Sequence, residues 1–241
     1  MPPLATTGIA GLDAQLGGGI PRGTTLLLVG EPGNAIPLFS EQFAGGGLDT
    51  GEDVHFFEFD RPVNELRKSV LSYVMRGHED KAALTVYDGY APSFAQAKSV
   101  KLREANAMPI HPAQALATCM GALQGVGGKP YRVVIETLSA LARPDNEREL
   151  LEFFRNLVFM GQELNGLHLV SIVKGLHTPA FETQLRHLAG GVIEFGAERK
   201  GFGIYNYLVV SKLLNVKDPT RILLWKETDK GLWLESTKRV F

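Results

Sequence analysis

Short apolar runs alternating with longer stretches of helical period constrain this chain more than any other feature. "TTLLLVG" (residues 24–30) and "DVHFFEF" (53–59) are too short for typical helices and carry the β-branched and aromatic residues of strands. Between them, "IPLFSEQFAGG" (36–46) reads as a crossover helix. The second run leads into residues 62–77, where Val63, Leu66, Val70, Leu71 and Val74 fall near helical spacing. That is a βαβα opening, which predicts a parallel sheet covered by helices.

The remainder continues the pattern. "ALTVYDGY" (83–90) reads as a strand, and residues 91–112 mix Pro, Ala, Lys and polar residues without a clear period, as a long surface excursion suited to partner contacts would. Residues 111–124 read as a helix, and "YRVVIETLSAL" (131–141) is the continuous apolar run of a central strand. Residues 146–165 form the clearest amphipathic helix, with Leu150, Leu151, Phe154, Leu157, Val158 and Leu164 on its apolar side and acids in its first turns. "GLHLVSIVKG" (166–175) reads as the next strand. "GGVIEFG", "GIYNYLVVSKLL", "RILLWKET" and "GLWLES" read as short strands joined by tight turns, Asp229-Lys230-Gly231 being the plainest. The expected architecture is α/β: a mainly parallel central sheet flanked by helices, antiparallel strands at the C-terminal end, and one domain over residues 1–241.

A net charge of −1 with 21% charged residues gives no global attraction to nucleic acid or anionic lipid. Cys119 is the only cysteine, which rules out an intrachain disulfide, suits a reducing compartment, and reads as a small buried apolar group. "MPPLATTG" lacks the charged and apolar regions of a secretory signal, and no apolar run approaches the ~20 residues that cross a bilayer. A cytoplasmic protein without membrane contact is expected.

The stretch directly after the first strand is "GEPGNAIP", residues Gly30, Glu31, Pro32, Gly33, Asn34, Ala35, Ile36 and Pro37. A working phosphate loop, G-x-x-x-x-G-K-[ST], wraps phosphates with backbone N–H groups, bridges them with its Lys and binds Mg²⁺ through its hydroxyl. Here Ala35 adds a Cβ at the second Gly position, Ile36 removes the cation, and Pro37 removes the hydroxyl and a backbone donor. The turn can keep its shape, because Asn34 suits a helix cap and Pro37 falls in the first helical turn, where its missing N–H breaks no intrahelical bond. A plain strand-to-helix turn and a retained phosphate cradle both fit these residues.

"TGIAGLDAQLGGGIPRGTTLLLVGEPG" (7–33) resembles the opening of the KaiC branch of the RecA superfamily, related to RadA and to single-domain KaiC-like proteins. "QF" at Gln42 and Phe43, "YRVVIETLSAL" at 131–141 and "LRHLAGGVIEF" at 185–195 resemble later landmarks of that family in the same order. The resemblance implies a RecA-like core, ancestry in ATP hydrolysis, and assembly into rings or filaments. It also implies where the working groups should stand. The Walker A lysine and hydroxyl fall on Ile36 and Pro37, and the pair of acids after the second strand falls on Asp60-Arg61, a carboxylate beside a cation able to pair with it. The Walker B acid falls on Glu136, and the trans-acting K-x-R pair on Lys212-Leu213-Leu214, where the lysine survives and the arginine does not. Loss of an arginine finger alone costs about 10³ to 10⁵ in rate, so these combined losses imply negligible turnover.

Rival constellations are weaker. Ser171 and Lys174 match S-x-x-K, but a strand sends them to opposite faces. His55 with Glu58, and His168, His177 and His187, form a metal site only if a fold gathers them; no metal site is expected. Lys98, Lys101 and Arg103, with Arg76 and Lys81, offer a basic rim for nucleic acid, yet no aromatic residues interleave with "KSVKLRE", and a solvated charged face is the preferred reading.

The expectation is therefore a catalytically inactive KaiC-like protein, a pseudo-ATPase with no cofactor, acting as a regulatory or scaffold subunit through contacts with a protein partner, an active paralogue or copies of itself. In it Asp60 and Glu136 are vestigial, residues 30–37 are a degenerate phosphate loop, and Lys212 is a trans-acting remnant. The alternative is a weak ATP-binding protein or slow ATPase that uses ATP and Mg²⁺, including a DNA-binding recombinase accessory.

Overall fold

In the computed structural model, which describes residues 2–63, 66, 82–90, 107–109, 114–126, 128–201, 203–216, 221–229 and 231–235, the chain opens with β1 (Leu4–Ala5), α1 (Ala10–Gln15) and β2 (Ile20–Pro21). β1 and β2 form a small antiparallel ribbon of their own. Asp13 ties this arm to α1, its carboxylate accepting both the backbone N–H and the hydroxyl of Thr7 at 2.7 Å.

The main layer then builds up through β3 (Thr25–Gly30), α2 (Ile36–Asp49), β4 (Asp53–Glu58), β5 (Leu84–Asp88), β6 (Ala107–Pro109) and α3 (Ala115–Gln124). β7 (Tyr131–Glu136), a 3₁₀ turn at Leu138–Ala140, α4 (Glu147–Leu164), β8 (Leu167–Val173) and α5 (Pro179–Leu188) follow. The chain ends in β9 (Gly191–Lys200), β10 (Gly203–Leu213), β11 (Arg221–Thr228) and β12 (Gly231–Glu235). The strands make one ten-stranded sheet in the order β12-β11-β10-β9-β3-β8-β7-β4-β5-β6. Pairing is parallel from β9 to β6 and antiparallel from β9 to β12.

β3 is central because every residue on it is buried and its two faces serve two cores. Leu26 and Leu28 pack with α1, α2 and the buried faces of β9 to β12, whereas Leu27 and Val29 pack with α3, α4 and α5. The long amphipathic helix α4 turns Leu150, Phe153, Phe154, Leu157 and Gly161 to the sheet. Phe153 joins that stripe unforeseen. Leu164, expected on it, is 42% exposed, because the helix outruns the sheet beyond Gly161.

Three expectations need correction. Residues 107–109, assigned to a structureless excursion, form β6 and pair in parallel with β5. The C-terminal strands are not short: β9 has 10 residues and β10 has 11, since each can extend an antiparallel ladder without an intervening helix. The run 131–141 is strand only to Glu136, after which the Thr137 hydroxyl caps the 3₁₀ turn by accepting Ser139 N–H. The helix expected over 62–77, and Arg76, Lys81, Lys98, Lys101 and Arg103, lie outside the described residues apart from residues 62, 63 and 66.

Two polar contacts hold this fold where apolar packing cannot. Arg132 is fully buried; it donates through Nε and Nη2 to Glu52 at 3.2 and 2.8 Å and through Nη1 to the Phe43 carbonyl at 2.7 Å. Burial pushes the Glu52 carboxyl up, but Arg132 and Arg22 outweigh it and hold it below the ordinary range. On the outermost strand, the Gln42 side chain accepts the Leu232 N–H at 2.6 Å and satisfies a ladder group on the free edge.

Candidate functional site

β3 ends at Gly30 between β8 and β9, so residues 31–35 lie beyond the carboxyl ends of parallel strands, where open α/β sheets take ligands. Gly33 adopts φ +82°, a conformation that needs glycine, and the loop turns into α2 there. The Asn34 side chain folds back over this turn. Its Oδ1 accepts the Ile36 N–H at 2.7 Å, and its Nδ2 donates to the Glu31 carbonyl. The amide also lies against Gly30, where an added Cβ would collide with Nδ2. Ile36 is 4% exposed and packs into the α1–α2 core; Pro37 sits in the first helical turn with no N–H to offer.

Against this loop lies a cavity of about 150 Å³, walled by residues that include Glu31, Asn34, Asp60, Glu136, Thr137 and Ser171. The fold thus gathers the loop, Asp60 and Glu136 at one place. Among the described residues lining it, none is Lys or Arg. Lys212 stands elsewhere: its Nζ donates to the carbonyls of Arg186 and His187 at 3.2 and 2.7 Å, closing the last turn of α5. Burial lowers its pKa.

Behind the cavity lies a cluster of carboxylates that the sequence reading did not assemble. Glu58 and Glu136 are adjacent across β4 and β7, and both are buried. Glu136 Oε2 accepts the Ser40 hydroxyl at 2.6 Å. Glu58 accepts the backbone N–H groups of Asp60 and Arg61, each at 3.0 Å, and an Arg61 guanidinium N–H at 3.1 Å. Arg61, which the sequence left able to pair with Asp60, instead spans Glu58 and the buried Glu41, the latter at 2.9 Å. The reason is desolvation: a guanidinium satisfies buried carboxylates before an exposed one.

Burial pushes both Glu58 and Glu136 up to about 7, with Arg61 pulling each back and Glu136 adding to the shift of Glu58. Glu58 and Glu136 titrate as a coupled pair. Glu136 is hydrogen-bonded by the neutral hydroxyls of Ser40 and Ser171, whereas Glu58 faces the Arg61 guanidinium. The signal for this cluster was available only as acids ending adjacent strands.

A second contact escaped the sequence altogether. The Ser139 hydroxyl and His177 Nε2 lie 2.7 Å apart, while Ser139 Oγ accepts the Val173 N–H at 2.8 Å. Glu147 and Glu182 fasten the same loop by accepting the N–H groups of Thr178 and Gly175 at 3.0 and 2.7 Å. Ser139 is 7% exposed, so this set ties two loops together. Two further described histidines lie apart from it: His55 Nδ1 meets the Tyr87 hydroxyl at 3.1 Å, and His168 is fully buried against Tyr131 and the Leu157 carbonyl. Among the described residues no group of His, Cys, Asp or Glu is arranged to hold a metal ion. No described helix is long and apolar enough to cross a membrane.

A central strand, a glycine-bearing loop and a helix, with an acid ending the strand next but one, define a P-loop fold of the RecA-like kind. The family model described as "ATPase: KaiC" matches residues 5–234, and the chain belongs to the KaiC family. A UPF0273 protein of Methanopyrus kandleri is 26% identical over 245 residues, covering 97% of this chain and 92% of that relative. Another UPF0273 protein, from Aeropyrum pernix, is 27% identical over 238 residues, covering 94% and 91%. The crystal structure of a KaiC-like protein from Pyrococcus horikoshii shares the fold, with a TM-score of 0.73, 20% identity, and coverage of 98% of this chain and 100% of that one.

A magnesium triphosphate asks the loop for open N–H groups, a cation near its outer phosphates and a hydroxyl for the metal. Here the Ile36 N–H is taken by Asn34, Ile36 is buried among apolar side chains, and Pro37 carries neither hydroxyl nor N–H. These residues do not fit that group.

Proposed function

We propose that this KaiC-family chain is a pseudo-ATPase, a RecA-fold subunit that regulates or scaffolds through protein contacts and does not turn over nucleotide. One observation carries the reading: the Asn34 carboxamide occupies the N–H of Ile36, the donor that a phosphate would take, at 2.7 Å. The lining of the adjacent cavity points the same way, with Glu31, Asp60 and Glu136 on its wall and, among the described residues, no Lys or Arg. A triphosphate brought there meets acidic side chains, and the nearby Arg61 guanidinium is already engaged by Glu41 and Glu58. In this reading the loop has kept its shape for stability, and the protein surface carries the function, beside an active paralogue or another protein partner.

The test is calorimetric titration of the purified protein with ATP and Mg²⁺, with phosphate release measured on the same sample. The expected result is no binding heat at 100 µM protein and no release above the buffer blank. Mg²⁺-dependent release at ordinary ATPase rates would overturn the proposal. The second reading, weak nucleotide binding with slow turnover, rests on Asp60 and Glu136 sharing the cavity with the loop. It predicts weak saturable binding with slow Mg²⁺-dependent phosphate release, the release being lost in Glu136→Gln.

A further inference from the structure

At the amino ends of the parallel strands, opposite the loop at residues 30–37, lies a cavity of about 350 Å³. Three neighbouring strands bring its polar wall together: Arg22 precedes β3, Asn165 precedes β8, and Lys129 precedes β7. Tyr131, the buried first residue of β7, and Val126 and Leu164, at the ends of α3 and α4, supply apolar wall. Backbone bonds fix these walls: the Gly23 N–H donates to the Gly166 carbonyl at 3.0 Å, and the Asp53 N–H to the Pro130 carbonyl at 3.1 Å. The Tyr131 ring lies against Gly166, where an added Cβ would collide with it.

The charges beside this cavity do not balance. The one carboxylate of Glu52 serves two guanidiniums, Arg132 at 2.8 Å and Arg22 at 3.0 Å, so a positive charge is left over. Arg132 is fully buried, whereas Arg22 lines the cavity, and Glu52 takes only part of its donor set. Lys129 adds a second cation and makes no ion pair with a described residue. Among the described residues lining the cavity, none is Asp or Glu. Asp53, beside Tyr131 in the sheet, turns its carboxylate to the Ala83 N–H at 2.9 Å. α3 and α4 both end here, and each helix end carries roughly half a negative charge, so together they offset about one cation. The cavity stays positive.

Size separates it from the other cavities. About 350 Å³ lies within the ~300–1,000 Å³ usual for small-molecule sites, and those of about 150 and 210 Å³ near the loop fall below it. A groove of about 430 Å³ between α1 and β12 has Glu235 as its charged wall group, already paired with Lys226.

We propose that the cavity beside Arg22 and Lys129 binds a small organic monocarboxylate, its apolar body lying against Val126, Leu164 and Tyr131. The planar fork of Arg22 suits a carboxylate, and the Asn165 side chain adds an amide donor. An apolar cavity of about 150 Å³ holds benzene, so this one has room for a ring or short chain with its head group. The inference stands whether or not the loop at the other end of the sheet holds nucleotide.

Titration of ¹⁵N-labelled protein with phenylacetate, followed by amide shifts in two-dimensional NMR, tests the proposal. Saturable shifts are expected at Val126, Leu164 and Asn165, with a dissociation constant of about 1 mM or tighter for a ligand of about ten heavy atoms. Phenylacetamide, which lacks the charge, and inorganic phosphate, which lacks the apolar body, are each expected to bind at least fivefold more weakly. Lys129→Met, at an exposed position, and Leu164→Glu, which puts an acid on the wall, are each expected to weaken phenylacetate binding at least fivefold. They are made separately, so that a failure to fold in one does not end the test. Lys174→Met, near the loop, is expected to leave binding unchanged. The absence of saturable shifts at these amides up to 10 mM phenylacetate overturns the proposal. So does equal affinity for phenylacetamide or phosphate, an affinity that both wall variants leave intact, or an equal loss in Lys174→Met.

Discussion

The side chain of Asn34 holds the backbone N–H of Ile36 at 2.7 Å, so the turn that begins α2 is satisfied from within the chain. Restoring the missing residues alone therefore falls short. Ala35→Gly, Ile36→Lys and Pro37→Thr combined are expected to gain little nucleotide affinity, and adding Asn34→Gly is expected to gain at least a further tenfold. Titration of both variants with ATP and Mg²⁺ checks this. Equal affinities would show that Asn34 does not obstruct the loop.

Glu136 and Glu58 shape the alkaline side of the stability profile. Both are pushed up to about 7 from an ordinary value of 4.5, so between those limits the folded state binds more protons than the unfolded one. Stability is fully present below pH 4.5 on this account and is lost as pH rises through 7. Glu136→Gln, which keeps the Ser40 contact without a charge, is expected to flatten the decline and to add up to about 3 kcal/mol at pH 8. Urea unfolding at a series of pH values measures it, and an unchanged slope would place the proton elsewhere.

His168 acts in the opposite sense. Burial lowers it from 6.5 to about 4, and its ring is read as neutral, with Nδ1–H donating to the Leu157 carbonyl at 3.0 Å and Nε2 accepting the Tyr131 hydroxyl at 3.2 Å. The unfolded chain takes up the proton first, so stability falls as pH drops from 6.5 toward 4, by about 3 kcal/mol in all. His168→Gln is expected to remove this acid-side loss at some cost in packing. Thermal melts of both proteins at pH 4.5 and 7 should therefore differ less in the variant than in the wild type.

Arg132 and Glu52 form the buried ion pair on which the α2–β7 contact rests. Arg132→Leu leaves the buried Glu52 with only the partly buried Arg22 as a cation and removes a second hydrogen bond from the Phe43 carbonyl. The expected loss is about 3 kcal/mol, measurable as a lower urea midpoint. The double variant with Glu52→Gln is expected to recover part of it, because the uncompensated charge is then gone.

Lys212 offers a smaller test. Its ammonium closes the last turn of α5 on two carbonyls, so Lys212→Met is expected to cost roughly 1 kcal/mol in the isolated chain. No change in melting temperature would mean that the contact is not formed in solution.

Much of this protein was open to sequence reasoning, for a physical reason. Periodicity and turn chemistry are local, so "TTLLLVG", "GLHLVSIVKG" and the helix around Phe154 declare themselves wherever they are placed, and the residues missing at positions 35–37 are missing in any fold. What stayed hidden depended on neighbours distant in the chain. That Arg61 serves Glu41 and Glu58 instead of Asp60, that Ser139 meets His177, that Lys212 ends a helix, and that Gln42 covers a strand edge are outcomes of packing. Each follows from which groups lose their water together, and only the assembled sheet decides that. The residue types of the loop were fixed by the chain itself; which groups share the cavity beside it was set by the strands that brought Asp60 and Glu136 to its wall.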